Sequence, residues 1–212
     1  MTYTLNVMYP NILSLKQTEL LPFIKEFKKE FYLVGDTAIA LHIGHRRSID
    51  FDLFIHKNFN SKKIKEKIYK TSYKKEIIHE EGDQLHIRVN EVKITFFHFG
   101  FEIPHVINFS NNITIPTLLD LAAMKAFAIG QRAKWKDYVD MYFIMKGHHT
   151  LNEISLRANE LFSGMFSAKL LRQQLSYFND IDYSEEVEFM DGFGVSEETV
   201  KNYLIDIATS LF

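Results

Sequence analysis

The sequence contains no cysteine, which excludes a disulfide framework, a thiolate metal site and a thiol nucleophile. No apolar run approaches the ~20 residues that a helix needs to cross a bilayer. The start, MTYTLNVMYP, is too polar for a secretory leader, so a cytoplasmic chain without a membrane partner is expected. No internal repeat and no low-complexity linker interrupts the chain. Nine histidines are present, but neither the His42/His45 pair nor His148-His149 has a third ligand at workable spacing, and core or surface histidines are the simpler reading. Ser48 has no evident His–Asp relay, so nucleophilic catalysis is unsupported. A large net charge is also lacking, since the balance is −2. That balance hides a local asymmetry: eight lysines (57, 62, 63, 65, 67, 70, 74 and 75) face one acid, Glu66, and later nine acids between Asp180 and Asp206 face the single Lys201.

At 212 residues, 46% apolar and 14% aromatic, the chain is long enough for one large or two small globular domains with ample core. Its organising stretch is Phe31 to His56, FYLVGDTAIALHIGHRRSIDFDLFIH. Phe31 to Val34 is a short apolar run that ends at Gly35, as a buried strand entering a tight turn does. Asp36 to Ile43 has helical spacing, with Ile39 and Ile43 on one face and Asp36 or Thr37 suited to cap it. The basic turn His45-Arg46-Arg47-Ser48 leads to a second strand, in which Ile49, Phe51, Leu53 and Ile55 alternate with Asp50, Asp52, Phe54 and His56. Asp50 and Asp52 therefore project together, roughly 7 Å apart at Cα. Two such carboxylates repel and raise each other's pKa unless a cation neutralises them. On its own, a D-x-D on a strand edge is usually a solvated face. Preceded by a strand, a glycine turn and a helix N-terminus that offers backbone N–H groups, it makes a site for Mg²⁺ and a phosphate.

Elsewhere the periodicity gives a helix within Asn11 to Glu30, started or kinked by Pro22, and a lysine-rich helix from Ser61 to Thr71 with Ser61 as its cap and Ile64 and Ile68 inward. Three strands, Tyr73 to His79, Gln84 to Val89 and Val92 to Phe99, form an antiparallel meander, and Ile103 to Phe109 is one further short strand. From Pro116 the period becomes helical: to Ile129, Trp135 to Lys146, Leu151 to Leu161, Ser167 to Tyr177 and Ser196 to Leu211. The expected fold is α+β or α/β, with a mixed sheet and flanking helices over residues 1–112 and a helical bundle over residues 113–212, packed together.

The lysine run between Lys57 and Lys75 reads as a solvated helix face, with a polyanion groove as the minority alternative. Lys125 lies in an apolar stripe with Leu118, Leu121, Ala122 and Ile129, where a lysine can snorkel its stem along the core or aim its charge at a phosphate. Lys136, Asp137 and Asp140 fall opposite Trp135 and Tyr142, and such a cluster is most often a set of surface ion pairs.

Residues Leu33-Val34-Gly35-Asp36-Thr37-Ala38-Ile39-Ala40-Leu41, His45-Arg46 and Ser48-Ile49-Asp50-Phe51-Asp52 resemble the signature of the AbiEii/AbiGii-type nucleotidyltransferase toxins, a branch of the DNA polymerase β-like nucleotidyltransferase superfamily. The resemblance continues through Asp120-Leu121-Ala122-Ala123-Met124-Lys125 and the segment Lys136-Asp137 to Asp140, and thinly to Asp180. It implies a Mg²⁺-dependent enzyme, the toxin of a bacterial toxin–antitoxin or phage-defence system, which transfers a nucleotidyl group from a nucleoside triphosphate to an RNA such as tRNA, or to a protein. Asp50 and Asp52 would hold the metal. Gly35, Asp36, Thr37, Arg46, Ser48, Arg132, Lys136 and Asp140 would contact the nucleotide, with Lys125 directed at the triphosphate. The helical half would close over the active-site cleft, the lysine region would meet an RNA acceptor, and an antitoxin would be the protein partner. Two departures stand out. The glycine turn usually has two small residues, and here the second is Asp36, which either caps the helix and points away or weakens nucleotide binding. A third carboxylate, the usual proton acceptor, is replaced by Thr95, which leaves Asp137 as the first choice of general base and Glu91 as the second. The alternative is a degenerate module of the same fold that binds a nucleotide or a partner without turnover.

Overall fold

A computed structural model describes residues 8–210. Most of the polar start, and Leu211 at the end of the last expected helix, lie outside the described residues. Pro10–Ala38 and Ser48–Thr117 form one compact unit, and Ile39–Arg47, the chain from Leu118 onward and Tyr9 belong to a second.

The first unit is built on a five-stranded sheet. Its strands are β1 (Tyr32–Val34), β2 (Phe51–Ile55), β3 (Lys75–Glu81), β4 (Gln84–Val89) and β5 (Val92–His98), in the order β1-β2-β5-β4-β3. Only the β2–β5 pairing is parallel, so the sheet is mixed, as expected. Alternation along the strands gives it two unlike faces. Phe51, Leu53, Leu85, Ile87, Ile94 and Phe96 are at most 1% exposed and form the apolar face. Phe96 is ringed edge-on by Phe27 and Phe31, with centroids 4.8 and 5.2 Å away. Helix α1 (Leu15–Ile24) adds buried Leu20, Phe23 and Ile24 to this core. It starts at a full capping box, in which the Ser14 side chain accepts from the Gln17 amide and Gln17 returns the bond. The helix does not begin near Pro22, because that cap outcompetes the proline as a start signal. Pro22 falls instead in the last turn before a 3₁₀ segment, Lys25–Phe27. Helix α2 (Gly35–Ile43) has its first turn in this unit. In α3 (Ser61–Tyr69), Ile64 and Ile68 are buried, but the cap is Asn60, not Ser61: its side chain accepts from the Lys62 amide. The other sheet face carries Asp52, Thr95, Lys93, His86 and Arg88 beside the aromatic pair Phe54 and Phe97, with Asp50 just before β2. Ile49, expected on the apolar face, is 68% exposed because the strand begins two residues later. A separate ribbon of β6 (Ile107–Phe109) and β7 (Ile113–Ile115) turns through Ser110 and Asn111, both at positive φ. The sequence marked the first of these strands and not the second.

The second unit contains α4 (Leu118–Ile129), α5 (Trp135–Gly147), α6 (Leu151–Phe162), α7 (Ala168–Leu175) and α8 (Glu197–Thr209). Thr150, Ser167 and Ser196 cap the last three through side-chain oxygens. α5 is buried on nearly all sides: Tyr138, Val139, Met141, Tyr142 and Ile144 are at most 1% exposed, and so are Asp137 and Asp140. Among the described residues no helix is long and apolar enough to cross a membrane.

Candidate functional site

Gly35 sits at φ +70° between β1 and α2, a left-handed conformation that costs any side-chain-bearing residue roughly 1–2 kcal/mol. The reason for a glycine is also spatial. A Cβ at this position would lie 2.5 Å from Asp52 Oδ2 and 3.3 Å from its Cγ, so the turn and the second aspartate are built around each other. Helix α2 begins at Gly35 itself. Asp36 and Thr37 therefore occupy its first turn and do not cap it. The Thr37 hydroxyl faces the incoming strand instead, with Ser48 Oγ at 2.7 Å and the Asp50 carbonyl closer still. These bonds tie the helix start to the segment that delivers the D-x-D. Gly35→Ala is expected to destabilise the protein by about 1–2 kcal/mol and to push the Asp52 carboxylate aside. Chemical denaturation reads this directly, and an unchanged midpoint would contradict the tight fit.

Asp52 projects from β2 and Asp50 stands just before it, and β5 supplies their neighbours. Asp52 is in register with Thr95, and Lys93 Nζ lies 4.0 Å from Asp50 Oδ2. The Asp52 carboxyl is pushed up from 3.8 to about 6, by burial first, then by the charges of Asp36 and Asp50; a hydrogen bond from Thr95 and the Lys93 charge pull the other way. Asp36 is itself buried, 8% exposed, and its charge acts on the D-x-D. Three carboxylates held by one turn and one strand, with Lys93 beside Asp50, bring negative charge together in a poorly solvated place. That fits a divalent cation, which Asp50 and Asp52 would hold through hard oxygen donors.

Of the remaining predicted residues, Arg46, Lys125, Asp137 and Arg132 gather in the helical unit around Asp140. Its Oδ1 accepts from Arg46 Nε at 2.6 Å and from His45 Nε2 at 2.8 Å, and its Oδ2 accepts from Arg46 Nη2 at 2.8 Å. Lys125 Nζ lies 2.9 Å from Asp140 Oδ2 and 2.7 Å from Asp137 Oδ1. Burial alone would raise the Asp140 pKa, but the charges of Arg46 and Lys125 and the bonds from His45 and Arg46 outweigh it and hold the carboxyl well below its usual range. The cluster read as surface ion pairs is thus an interior network. Arg132 reaches Asp137 through Nε at 3.2 Å, with its side chain half exposed. Lys136 pairs with Glu185, and Glu91 sits in the β4–β5 turn beside Lys16, four residues along the strand from Thr95. Sequence reasoning missed His45, Glu185, Lys93 and His86. The signal for Lys93 and His86 was strand parity with Thr95. For His45 and Glu185, whose partners lie far along the chain, there was none.

The family model of the AbiEii nucleotidyl transferase toxin of type IV toxin–antitoxin systems matches residues 23–191. An uncharacterized protein of Aquifex aeolicus (strain VF5), aq_aa25, is 32% identical over 173 residues, covering 75% of this chain and 83% of that protein. Among solved structures, MenT4, a nucleotidyltransferase toxin from Mycobacterium tuberculosis, superposes with a TM-score of 0.61 at 11% identity, over 92% of this chain and 82% of that one. JHP933 from Helicobacter pylori gives 0.53 at 17% identity, over 95% and 91%. At such identities the two structures speak for the fold alone.

Proposed function

The chain belongs to the AbiEii nucleotidyl transferase toxin family, and from that premise we propose that it transfers a nucleoside monophosphate from a nucleoside triphosphate to a hydroxyl of an RNA or protein acceptor, as the toxin of a toxin–antitoxin pair. The observation that carries this is the fit between Gly35 and Asp52, which sets a helix start against two aspartates that crowd each other electrostatically. The amides at the start of α2 lack intrahelical acceptors and suit the phosphates of a triphosphate. Asp50 and Asp52 would hold Mg²⁺, which when bound would supply positive charge to the phosphates of the substrate. The chain's own residues do the rest. Thr37 and Ser48 fix the approach of the D-x-D strand, and the Lys93 charge beside Asp50 limits the repulsion between the aspartates. In the helical unit, Arg132 has a half-exposed side chain whose guanidinium suits a phosphate. Its Nε is oriented by Asp137, while Lys125, Arg46 and Asp140 hold the helices that present it. The exposed lysines on and just after α3, among them Lys62, Lys63 and Lys70, suit the backbone of an RNA acceptor.

Asp36 supports a second reading, a degenerate module that binds without turnover, because its charge adds to the repulsion at Asp52. One experiment separates the two. Incubation with each α-labelled nucleoside triphosphate, Mg²⁺ and total cellular RNA is expected to label an RNA species with wild-type protein. A wild type that labels neither RNA nor protein, beside an Asp36→Gly variant that does, would establish the degenerate reading.

A further inference from the structure

β3 is the last strand in the sheet order, so its outer side offers backbone N–H and C=O groups that no strand among the described residues takes up. All but its first residue are exposed. Edges of this kind are usually guarded by charges and bulges, and β3 has both. Its sequence is Lys-Glu-Ile-Ile-His-Glu-Glu, and its register against β4 shifts between Ile77 and His79. The order of the charges, however, does not guard the strand against itself. About a point between Ile77 and Ile78, each basic group mirrors an acidic one: Lys75 mirrors Glu80, Glu76 mirrors His79, and the two isoleucines mirror each other. When two such strands pair antiparallel, mirror partners stand opposite one another.

The shift in register lets this pairing work in three dimensions. Two identical strands pair antiparallel about a two-fold axis perpendicular to the sheet, which keeps every side chain on its own face, so mirror partners must share a face. In a regular strand Lys75 and Glu80 would point to opposite faces, and so would Glu76 and His79. The extra residue Ile78 restores the phase. Lys75 stands opposite Val89 and its Nζ reaches the Thr71 carbonyl, just after α3, at 2.6 Å; Glu80 stands opposite Leu85 and accepts from Lys65 of α3 at 2.8 Å. Both therefore lie on the face that α3 covers. Glu76 bonds Arg88 at 2.7 Å, and the His79 ring lies 5.7 Å from that of His86, which puts both on the other face. The centre of the edge is apolar. Ile77 and Ile78 are 43% and 41% exposed, and Tyr69 of α3, which lines one hollow with Ile77, is 63% exposed.

We propose that β3 is a dimer edge, on which a second copy of this chain lays its own β3 antiparallel and joins the two sheets into one. The isoleucines of both copies cover each other at the axis. Lys75 meets Glu80 and Glu76 meets His79 on either side of it. Each carboxylate keeps its cation within the chain and gains a second group across the seam, as its several lone pairs allow. Because the axis is perpendicular to the sheet, both copies of α3 lie on the same face, and their lysines form one basic surface. The dimer does not rest on the transfer reaction.

Sedimentation velocity of the full chain over a dilution series from millimolar protein downward tests this. Wild type is expected to reach twice the 24.9 kDa of one chain. Ile78→Lys, at an exposed position, should keep the wild-type melting temperature and stay at the mass of one chain. The charge order has its own readout. His79→Glu sets like charges opposite each other on both sides of the axis and should weaken the dimer by about ten-fold, while His79→Lys should hold it as tightly as wild type or more so. A dimer indifferent to Ile78→Lys, or weakened equally by the two His79 variants, would overturn the proposal. A wild type that stays at the mass of one chain would also overturn it, and would leave the edge to a strand of a different protein.

Discussion

Asp52→Asn is expected to abolish nucleotidyl transfer and to make the protein more stable above about pH 6. The two effects have one cause. The Asp52 carboxyl is raised from 3.8 to about 6 by burial, Asp36 and Asp50. Between those values the folded chain keeps a proton that the unfolded chain has released. Stability therefore falls as pH rises through this window, and the full cost is present above it. A rise of that size corresponds to about 3 kcal/mol. Partial exposure of the side chain trims this to on the order of 2 kcal/mol. Asparagine carries no charge and still accepts the Thr95 hydrogen bond, so it recovers that energy at pH 8 and nothing below pH 4. It also weakens the cation site, and the loss of activity should reach about 10³-fold, the scale at which single electrostatic groups act in such sites. Urea unfolding of both proteins at pH 4 and pH 8, with transfer measured alongside, tests the pair. A variant less stable than wild type at pH 8 would show that Asp52 is already neutralised in the free protein.

The second large effect is on folding. Asp140→Asn removes an anion shared by Arg46, His45 and Lys125, and the first and last of these are 4% and 5% exposed. Breaking a buried charge network from one side typically costs 3–5 kcal/mol, and here it takes a carboxylate from both Arg46 and Lys125. That is a large part of the 5–15 kcal/mol that holds a typical domain together. The depressed pKa of Asp140 sets the pH window: its contribution is present above about pH 4, the ordinary aspartate value, and is lost as pH falls toward its folded value. The wild-type advantage over Asp140→Asn should therefore shrink in acid. Lys125→Met added to Asp140→Asn should cost less than the sum of the two single changes, since the 2.9 Å ion pair that both remove is then counted once. Denaturation midpoints of the two single variants and the double variant measure this. A loss under about 1 kcal/mol would mean that the network adds little to stability.

The strand, glycine turn, helix and D-x-D were legible because each has a local physical mark: an apolar run, a residue that tolerates positive φ, period 3.6, then period 2. The meander was legible for the same reason, and its two-residue turn at Asn90-Glu91 settles more than its existence. Counting back from that turn pairs Thr95 with His86, so this cross-strand contact follows from chain order and strand register alone. The interior of the helical unit was not legible. Facing of the residues from Trp135 to Lys146 put Asp137 and Asp140 opposite the apolar stripe, where carboxylates are normally solvated. α5 is covered on that side too, and the partners that make burial tolerable are the cations of Arg46 and Lys125 and the ring of His45. Pairing across such separations leaves no periodic trace. The start of α2 was misplaced by a residue for a related reason: Asp36 and Thr37 have the composition of a cap, but their charge and hydroxyl are engaged by Asp52, Ser48 and Asp50.

Everything proposed for the reaction depends on Asp50 and Asp52 forming a cation-dependent triphosphate site. Isothermal titration of each of the four nucleoside triphosphates, with and without Mg²⁺, into wild type and Asp50→Asn tests this most directly. The expected result is binding of at least one triphosphate that requires Mg²⁺ and falls about ten-fold or more in Asp50→Asn. Equal binding by both proteins, or binding indifferent to Mg²⁺, would contradict it.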